Sequence, residues 1–177
     1  MRVGLQSWGT EGDLRPFLGL GRALAARGHE VRLVFTGIEG TDFGDLARAM
    51  GVPTRFVDDG YFVAHRDELA AKTRDSFRLG GPRKQFELIL RDLMDPVEGA
   101  MVAAARDLAS WADVIAGHFL VHTAPAAAAE RGRPFVQIAL QPVFTTRHHP
   151  PAGTPSLGPL NPLLWWLANG IMRGALL

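Results

Sequence analysis

Residues 2–36 constrain the fold of this chain more than any other stretch of its sequence. A short apolar segment ends in a glycine-containing turn at residues 9–13, an amphipathic segment follows, and residues 31–36 form a second apolar run. This order is typical of a strand, a tight turn, a helix and a second strand parallel to the first. We therefore expect a βαβ unit with its chemistry concentrated in the turn.

The amphipathic segment has the features of a helix that packs on a sheet. Its apolar residues recur at helical spacing and would share one face: Leu14, Phe17, Leu18, Gly21, Leu24 and Ala25. Asp13 is placed to cap this helix or to lie beside its N-terminus, and Gly28 is placed to end it. Backbone N–H groups of residues 9–13 would then face a phosphate or another anion.

The junction between a helix and a strand recurs along the chain. Helical patterns end at Gly28, Gly51 and Gly132, and each glycine is followed by a turn residue or two and a β-type run. Three such junctions predict an α/β fold with a doubly wound, mostly parallel sheet and Rossmann-like topology. Later strands are expected at 54–57, 113–116 and 135–139.

The connecting segments differ in character. Residues 58–78 are polar and mixed, which predicts a long excursion with a helical piece near 67–74. A long helix is expected from residue 82, kinked at Pro96 before residues 97–111. An alanine-rich helix is expected at 121–131.

Three segments follow predicted strands and should gather at one rim of the sheet. They are residues 8–13, 117–122 and 141–151, the last within a proline-rich loop that we expect from 140 to 159. In open α/β sheets, ligands bind outside the carboxyl ends of the strands where the strand order reverses. The sequence thus predicts a binding site at this rim.

Composition excludes several classes of function. Lys plus Arg number 19 and Asp plus Glu 18, for a net charge of +1, so no basic excess indicates a nucleic-acid partner. The absence of cysteine excludes disulfides and thiolate metal sites. The first strand begins almost at the first residue, which leaves no room for a signal peptide, and we expect a cytoplasmic location.

The last segment is unusually apolar. Residues 161–177 include Trp165 and Trp166 but are interrupted by polar and glycine residues, and they are too few for a membrane span of about 20 apolar residues. We expect a Rossmann-like domain at 1–160 and, at 161–177, an apolar helix that continues toward a missing C-terminal domain. Packing is favoured over contact with a membrane surface, and self-association is an alternative.

The opening of the chain resembles a known family. Gly9-Thr-Glu-Gly-Asp13, followed by Leu-Arg-Pro-Phe-Leu-Gly-Leu and then Ala-Ala-Arg-Gly-His-Glu-Val, resembles the opening of GT-B glycosyltransferases. The branch that it is most similar to is the bacterial natural-product, rhamnolipid and sterol type. The resemblance covers most of the chain, but only this opening motif is specific.

The resemblance implies the N-terminal, acceptor-binding half of an inverting glycosyltransferase. Such an enzyme would move a sugar from a nucleotide-sugar, as co-substrate and without a further cofactor, to a hydroxyl of a small, apolar acceptor. The family's C-terminal, donor-binding half has no counterpart in these 177 residues. The resemblance therefore implies a truncated chain, a fragment or one part of a split enzyme, inactive by itself.

The same resemblance assigns roles in the glycine turn. Asp13 matches the acidic loop position and would be the catalytic base, with a purely capping role as the alternative. Gly9, Thr10 and Gly12 would approach the donor diphosphate, or they serve turn geometry alone.

Candidate acceptor-binding residues lie in the later loops. They are His118, Gln141, Phe144 and His148, each with an ordinary loop or core-edge role as the alternative. His118 and His122 are four residues apart, but no third ligand is evident, and we expect no metal site.

Two other functions remain open at this point. A nicotinamide-dependent oxidoreductase would need the Gly-x-Gly-x-x-Gly pattern and an acidic residue after the second strand. The turn here reads Gly-x-x-Gly, and the second strand ends at Phe35-Thr36-Gly37, so both features disfavour it. A non-catalytic Rossmann-like binding module is the other alternative.

Overall fold

The computed structural model of the chain describes residues 1–57, 60–79, 82–141, 145–151 and 154–176. The chain divides into two compact units, Met1–Ile138 and Ala139–Leu177. The predicted boundary after residue 160 falls within the second unit, immediately before its long helix. A continuation of that helix toward a further domain stays a prediction.

The first unit is built on a five-stranded parallel sheet in the order β3-β2-β1-β4-β5. Its strands are β1 Arg2–Gly9, β2 Glu30–Gly37, β3 Thr54–Phe56, β4 Val114–His118 and β5 Phe135–Ile138. The predicted doubly wound, Rossmann-like α/β fold is confirmed. The chain order reverses between β1 and β4, so this pair forms the topological switch point.

The βαβ unit predicted from residues 2–36 is present. Helix α1, Glu11–Ala25, buries Leu14, Phe17 and Leu18 against the sheet, as its apolar spacing predicts. Thr10 rather than Asp13 is the N-cap, and Asp13 lies at the third helical position. Glycine at the three predicted junctions has a positive φ, which only glycine adopts without strain: 82° at Gly28, 68° at Gly51 and 60° at Gly132.

The helices after β2 differ in part from the sequence-based expectations. They are α2 Gly44–Met50, α3 Tyr61–Ala64, α4 Arg66–Leu79, α5 Pro82–Glu87, α6 Glu98–Trp111 and α7 Thr123–Glu130. The helical piece expected near 67–74 within the polar excursion is confirmed as part of α4, but the structure has more helix there than expected, because α3 precedes α4 and α4 runs on to Leu79. Phe62 and Leu69 are buried and anchor both helices on the core.

The long helix expected from residue 82 is interrupted earlier than Pro96. A π-helix, Leu88–Met94, and a 3₁₀ turn, Asp95–Val97, separate α5 from α6. The wider π turn rotates the side chains, so Leu88, Leu93 and Met94 are buried while Leu90 is partly exposed. Pro96 lies in the 3₁₀ turn, where its missing N–H is tolerated.

Two apolar clusters cover the two faces of the sheet. Residues of α1 and α2 pack on one face with Leu5, Leu33 and Phe35 of the strands. Residues of α4, the π-helix, α6 and α7 pack on the other face with Trp8 and Ile115. Helices on both faces are the arrangement that all-parallel sheets require.

The second unit contains a 3₁₀ turn, Gly158–Leu160, and helix α8, Asn161–Leu176. Trp165 is buried and its Nε1 donates to the carbonyl of His149 at 2.8 Å, whereas Trp166 is 70% exposed. The described helices include none that is both long enough and apolar enough to cross a membrane.

Candidate active site at the switch point of the sheet

The Asp13 carboxylate is held by the turn that precedes α1. The backbone N–H of Thr10 donates to Asp13 Oδ2 at 2.8 Å, and the Thr10 hydroxyl donates to the same oxygen at 3.1 Å. The hydroxyl of Ser7 donates to the Asp13 carbonyl at 3.1 Å and ties this turn to β1. A capping box of this kind fixes the direction of the acidic side chain at the helix N-terminus.

Gly9 is required where the chain turns from β1 into α1. Its φ is 132°, and a Cβ at this position would lie 2.2 Å from Asp13 Oδ2. Any other residue would therefore strain the backbone and displace the carboxylate. Gly9 thus sets the position of the Asp13 carboxylate. The sequence pattern alone did not predict this role of Gly9.

His118 faces the other oxygen, Oδ1, of the same carboxylate. Its Nε2 lies 3.7 Å from Asp13 Oδ1, its side chain is 3% exposed, and its ring packs edge-on against Phe17 at 6.3 Å between centroids. Burial lowers the pKa of His118, and the neighbouring Asp13 charge offsets only part of that effect. The imidazole is therefore neutral at pH 7.

The position of His118 corrects the sequence-based expectation of an exit loop. It is the last residue of β4, because the strand extends two residues beyond the predicted end at 116. β4 lies beside β1, so the carboxyl ends of these two strands bring His118 and the Asp13 turn together. The proximity of His118 and Asp13 therefore depends on strand order, which cannot be read from the sequence pattern.

The glycine turn offers fewer free N–H groups than expected. The N–H of Thr10 is taken by Asp13, and the N–H of Glu11 donates to Glu39 Oε2 at 3.1 Å. Glu39 is exposed, so an anion of higher charge, such as a phosphate, would compete with its carboxylate for the N–H of Glu11. Donor-phosphate binding by Gly9, Thr10 and Gly12 stays a prediction.

The candidate acceptor residues of the proline-rich loop belong to the second unit. Gln141 and His148 are exposed, and the His148 N–H donates to the Thr146 hydroxyl at 3.2 Å. Phe144 lies outside the described residues. Their part in acceptor binding stays a prediction.

Asn161 organises this loop, a role that the sequence analysis missed. Its side-chain amide donates to the carbonyl of Arg147 at 3.0 Å and accepts from the N–H of Leu157 at 2.9 Å. Asn161 is fully buried. A lone asparagine at the start of a helical pattern was the available signal.

His122 and His118 have different carboxylate neighbours. Its Nε2 lies 2.9 Å from Glu98 Oε1 on the exposed surface. Within the part of the chain that the structure describes, no three histidine or carboxylate side chains form a group suited to a metal ion.

No protein-family model matches the sequence, and no curated protein matches it either. Solved structures do match. SnogD, a glycosyltransferase from Streptomyces nogalater, is 22% identical with a TM-score of 0.53 over 98% of this chain and 40% of its own. The calicheamicin glycosyltransferase CalG4 is 17% identical with a TM-score of 0.55 over 99% of this chain and 43% of its own. TcCGT1, solved in complex with UDP, is 16% identical with a TM-score of 0.55 over 80% of this chain and 29% of its own.

These matches identify the fold. The chain has the fold of the N-terminal half of GT-B glycosyltransferases of the natural-product type. It spans less than half of the length of each of these three structures.

Proposed function

We propose that this chain is the acceptor-binding half of an inverting glycosyltransferase, which moves a sugar from a nucleotide-sugar to a hydroxyl of a small, apolar acceptor. The observation that carries the proposal is the Asp13–His118 pair at the switch point, with 3.7 Å between Oδ1 and Nε2. The shared fold with known glycosyltransferases supports it. We propose the cytoplasm as its location, in keeping with a chain without cysteine.

In this proposal Asp13 is the general base. Thr10 holds Oδ2, while Oδ1 accepts no hydrogen bond from the described part of the chain and points toward His118. As the acceptor oxygen bonds to the anomeric carbon, its proton passes to Asp13. The bond from that carbon to the donor phosphate breaks on the opposite side, and the nucleoside diphosphate leaves with the electron pair.

His118 supports this role as a neutral neighbour. Burial lowers the pKa of His118, so its ring adds no positive charge beside Asp13 at pH 7. The acceptor proton would then pass to Asp13 without competition from an ion pair. Contact between His118 and the acceptor, for which its position 3.7 Å from Oδ1 is the support, is part of the proposal.

The donor would be held by a second half outside these 177 residues. Gly9, Thr10 and Gly12 of this chain would approach its diphosphate, and Gln141, Phe144 and His148 would contact the acceptor. Glycosyltransferases of this fold were solved with UDP and with dTDP, so a uridine or thymidine diphosphate sugar is the donor class to test first. We expect this chain alone to transfer no sugar efficiently.

Replacing Asp13 tests the proposal in the complete enzyme that contains this chain. Asp13→Asn keeps the shape of the side chain and can still accept from Thr10, but it cannot take up a proton. We expect kcat to fall about 100- to 10,000-fold, the range that general bases contribute, with a small change in the urea midpoint. Transfer from UDP- and TDP-sugars to hydroxylated polycyclic acceptors is the measurement.

Glu11→Gln is the matched control. Glu11 lies in the same helical turn and bonds to Arg15 at 2.7 Å on the exposed surface. Its loss should leave turnover unchanged. Normal turnover by Asp13→Asn would reduce Asp13 to a helix-capping residue and contradict the proposal.

A further inference from the structure

Three adjacent residues inside the first unit have buried polar atoms without partners. Gln6, Trp8 and Thr36 are at most 4% exposed. Both side-chain polar atoms of Gln6, the Nε1 of Trp8 and the Oγ1 of Thr36 bond to nothing that the structure describes. Buried polar side chains in native proteins almost always have a partner, so four such atoms together require one.

The sheet register gathers these atoms on one face. Gln6 and Trp8 are two residues apart on β1 and point to the same side, and Thr36 of β2 is the direct neighbour of Trp8. Gly4, on the same side of β1, faces Leu108 of α6. The three side chains therefore lie on the α6 face, opposite His118 and Phe17.

The chemistry of the four atoms defines what can satisfy them. The Trp8 indole only donates, the Gln6 amide offers an NH2 group that donates and an oxygen that accepts, and the Thr36 hydroxyl does both. The complement is an oxygen that accepts and donates. None of the three side chains is ionisable, so a charged ligand would be buried without a counter-charge here.

We propose that Gln6, Trp8 and Thr36 form a buried site for a neutral oxygen, either a resident water or the hydroxyl of a bound molecule. Trp8 directly precedes Gly9, so an oxygen held here supports the strand end that carries the Asp13 turn. The site lies on the other face of the sheet from the Asp13–His118 pair and does not depend on the proposed transfer reaction.

A high-resolution crystal structure of the full chain is the first test. We expect electron density within hydrogen-bond distance of at least two of the four atoms. Crystals grown without additives test for water, and crystals soaked in phenol test for a hydroxyl that replaces it. Density in either crystal supports the site and distinguishes the two sources, whereas an empty site in both would overturn the proposal.

Thr36→Val is the second test, in solution. If an oxygen is bound, the valine removes one of its partners, and the urea midpoint falls. If the site is dry, the valine replaces an unpaired hydroxyl, and the midpoint rises. Thr54→Val is the matched control, because the Thr54 hydroxyl donates to the Val52 carbonyl at 2.9 Å and its loss should lower the midpoint. The proposal requires a fall for both variants, and a rise for Thr36→Val would refute it.

Discussion

At the scale of single residues, the two carboxylate oxygens of Asp13 have different neighbours. Oδ2 closes the capping box with Thr10, and Oδ1 faces His118. The capping and catalytic interpretations of this aspartate are therefore compatible, because they use different atoms. Gly9 and His118 are the residues on which this arrangement depends, and each leads to a prediction.

Gly9→Ala should be far more damaging than the same change at another glycine of positive φ. An added Cβ at Gly9 meets Asp13 Oδ2, whereas at Gly28 it meets nothing within 4 Å. Gly28→Ala carries the backbone strain alone, about 1–2 kcal/mol. We expect a larger loss for Gly9→Ala, measured as the free energy of unfolding in urea. Equal losses would show that the turn can move the Asp13 carboxylate aside without cost.

His118 should make stability depend on pH. Its folded pKa is lowered, so the unfolded chain binds a proton first as pH falls below about 6.5. The contribution of His118 is fully present above pH 7 and is lost as pH falls through the unfolded pKa toward the folded one. Urea midpoints between pH 8 and 5 should decline less steeply in His118→Gln than in the wild type.

His122→Gln provides the comparison for this pH series. His122 is exposed beside Glu98, so its replacement should leave the decline attributed to His118 in place. A wild-type decline that His118→Gln does not reduce would assign the pH dependence to other groups.

At the scale of elements, small residues allow α6 to pack unusually close to β1. Gly4 lets the helix sit directly on the strand, since a Cβ there would lie 2.8 Å from Leu108 Cγ and 3.1 Å from Ala112 Cβ. Alanines of α6 continue this contact, with Ala104, Ala105 and Ala109 buried. Small residues on both sides therefore determine the spacing of sheet and helix.

Two glycine-to-alanine changes should consequently have opposite signs. Gly4→Ala overpacks the strand–helix contact and should cost about 1–3 kcal/mol. Gly19→Ala, in α1 with nothing within 4 Å of its Cβ, should stabilise by about 0.5–1 kcal/mol through helix propensity. Urea unfolding of both variants measures the difference. A neutral Gly4→Ala would mean that α6 can shift outward freely.

At the scale of the whole molecule, the two compact units differ in how their apolar side chains are buried. Both apolar clusters of the sheet consist of residues up to Ile138, so the first unit contains its own core. The second unit is smaller and exposes large apolar side chains, among them Leu160 and Trp166 at 60% and 70%. Self-association through these residues is one use that we propose for them.

Residues 1–138 should therefore fold without the rest of the chain. We expect a far-ultraviolet circular dichroism spectrum of an α/β protein and one cooperative urea transition. The complete chain is the reference for both measurements. A truncated chain without a cooperative transition would show that residues 139–177 supply part of the stabilising core.

The sequence by itself determined the features that rest on local patterns. The βαβ unit, the glycine junctions at Gly28, Gly51 and Gly132, and Asp13 beside the N-terminus of α1 all follow from neighbouring residues. Each depends on helical periodicity, turn chemistry or φ preference, which act over a few positions. Only the piece of α4 near 67–74 was predicted, and α3 was missed, because the buried contacts of Phe62 and Leu69 that anchor these helices are not local.

Only the tertiary structure decided which distant residues meet. The pairing of β4 with β1 brings His118 to Asp13 across more than 100 positions of sequence, and the register of β1 with β2 gathers Gln6, Trp8 and Thr36. Strand order is set by packing of the whole core, a non-local balance that no short pattern encodes. For this reason the sequence predicted a site at the carboxyl ends of the strands, which stays a prediction, while the fold determined which side chains lie together there.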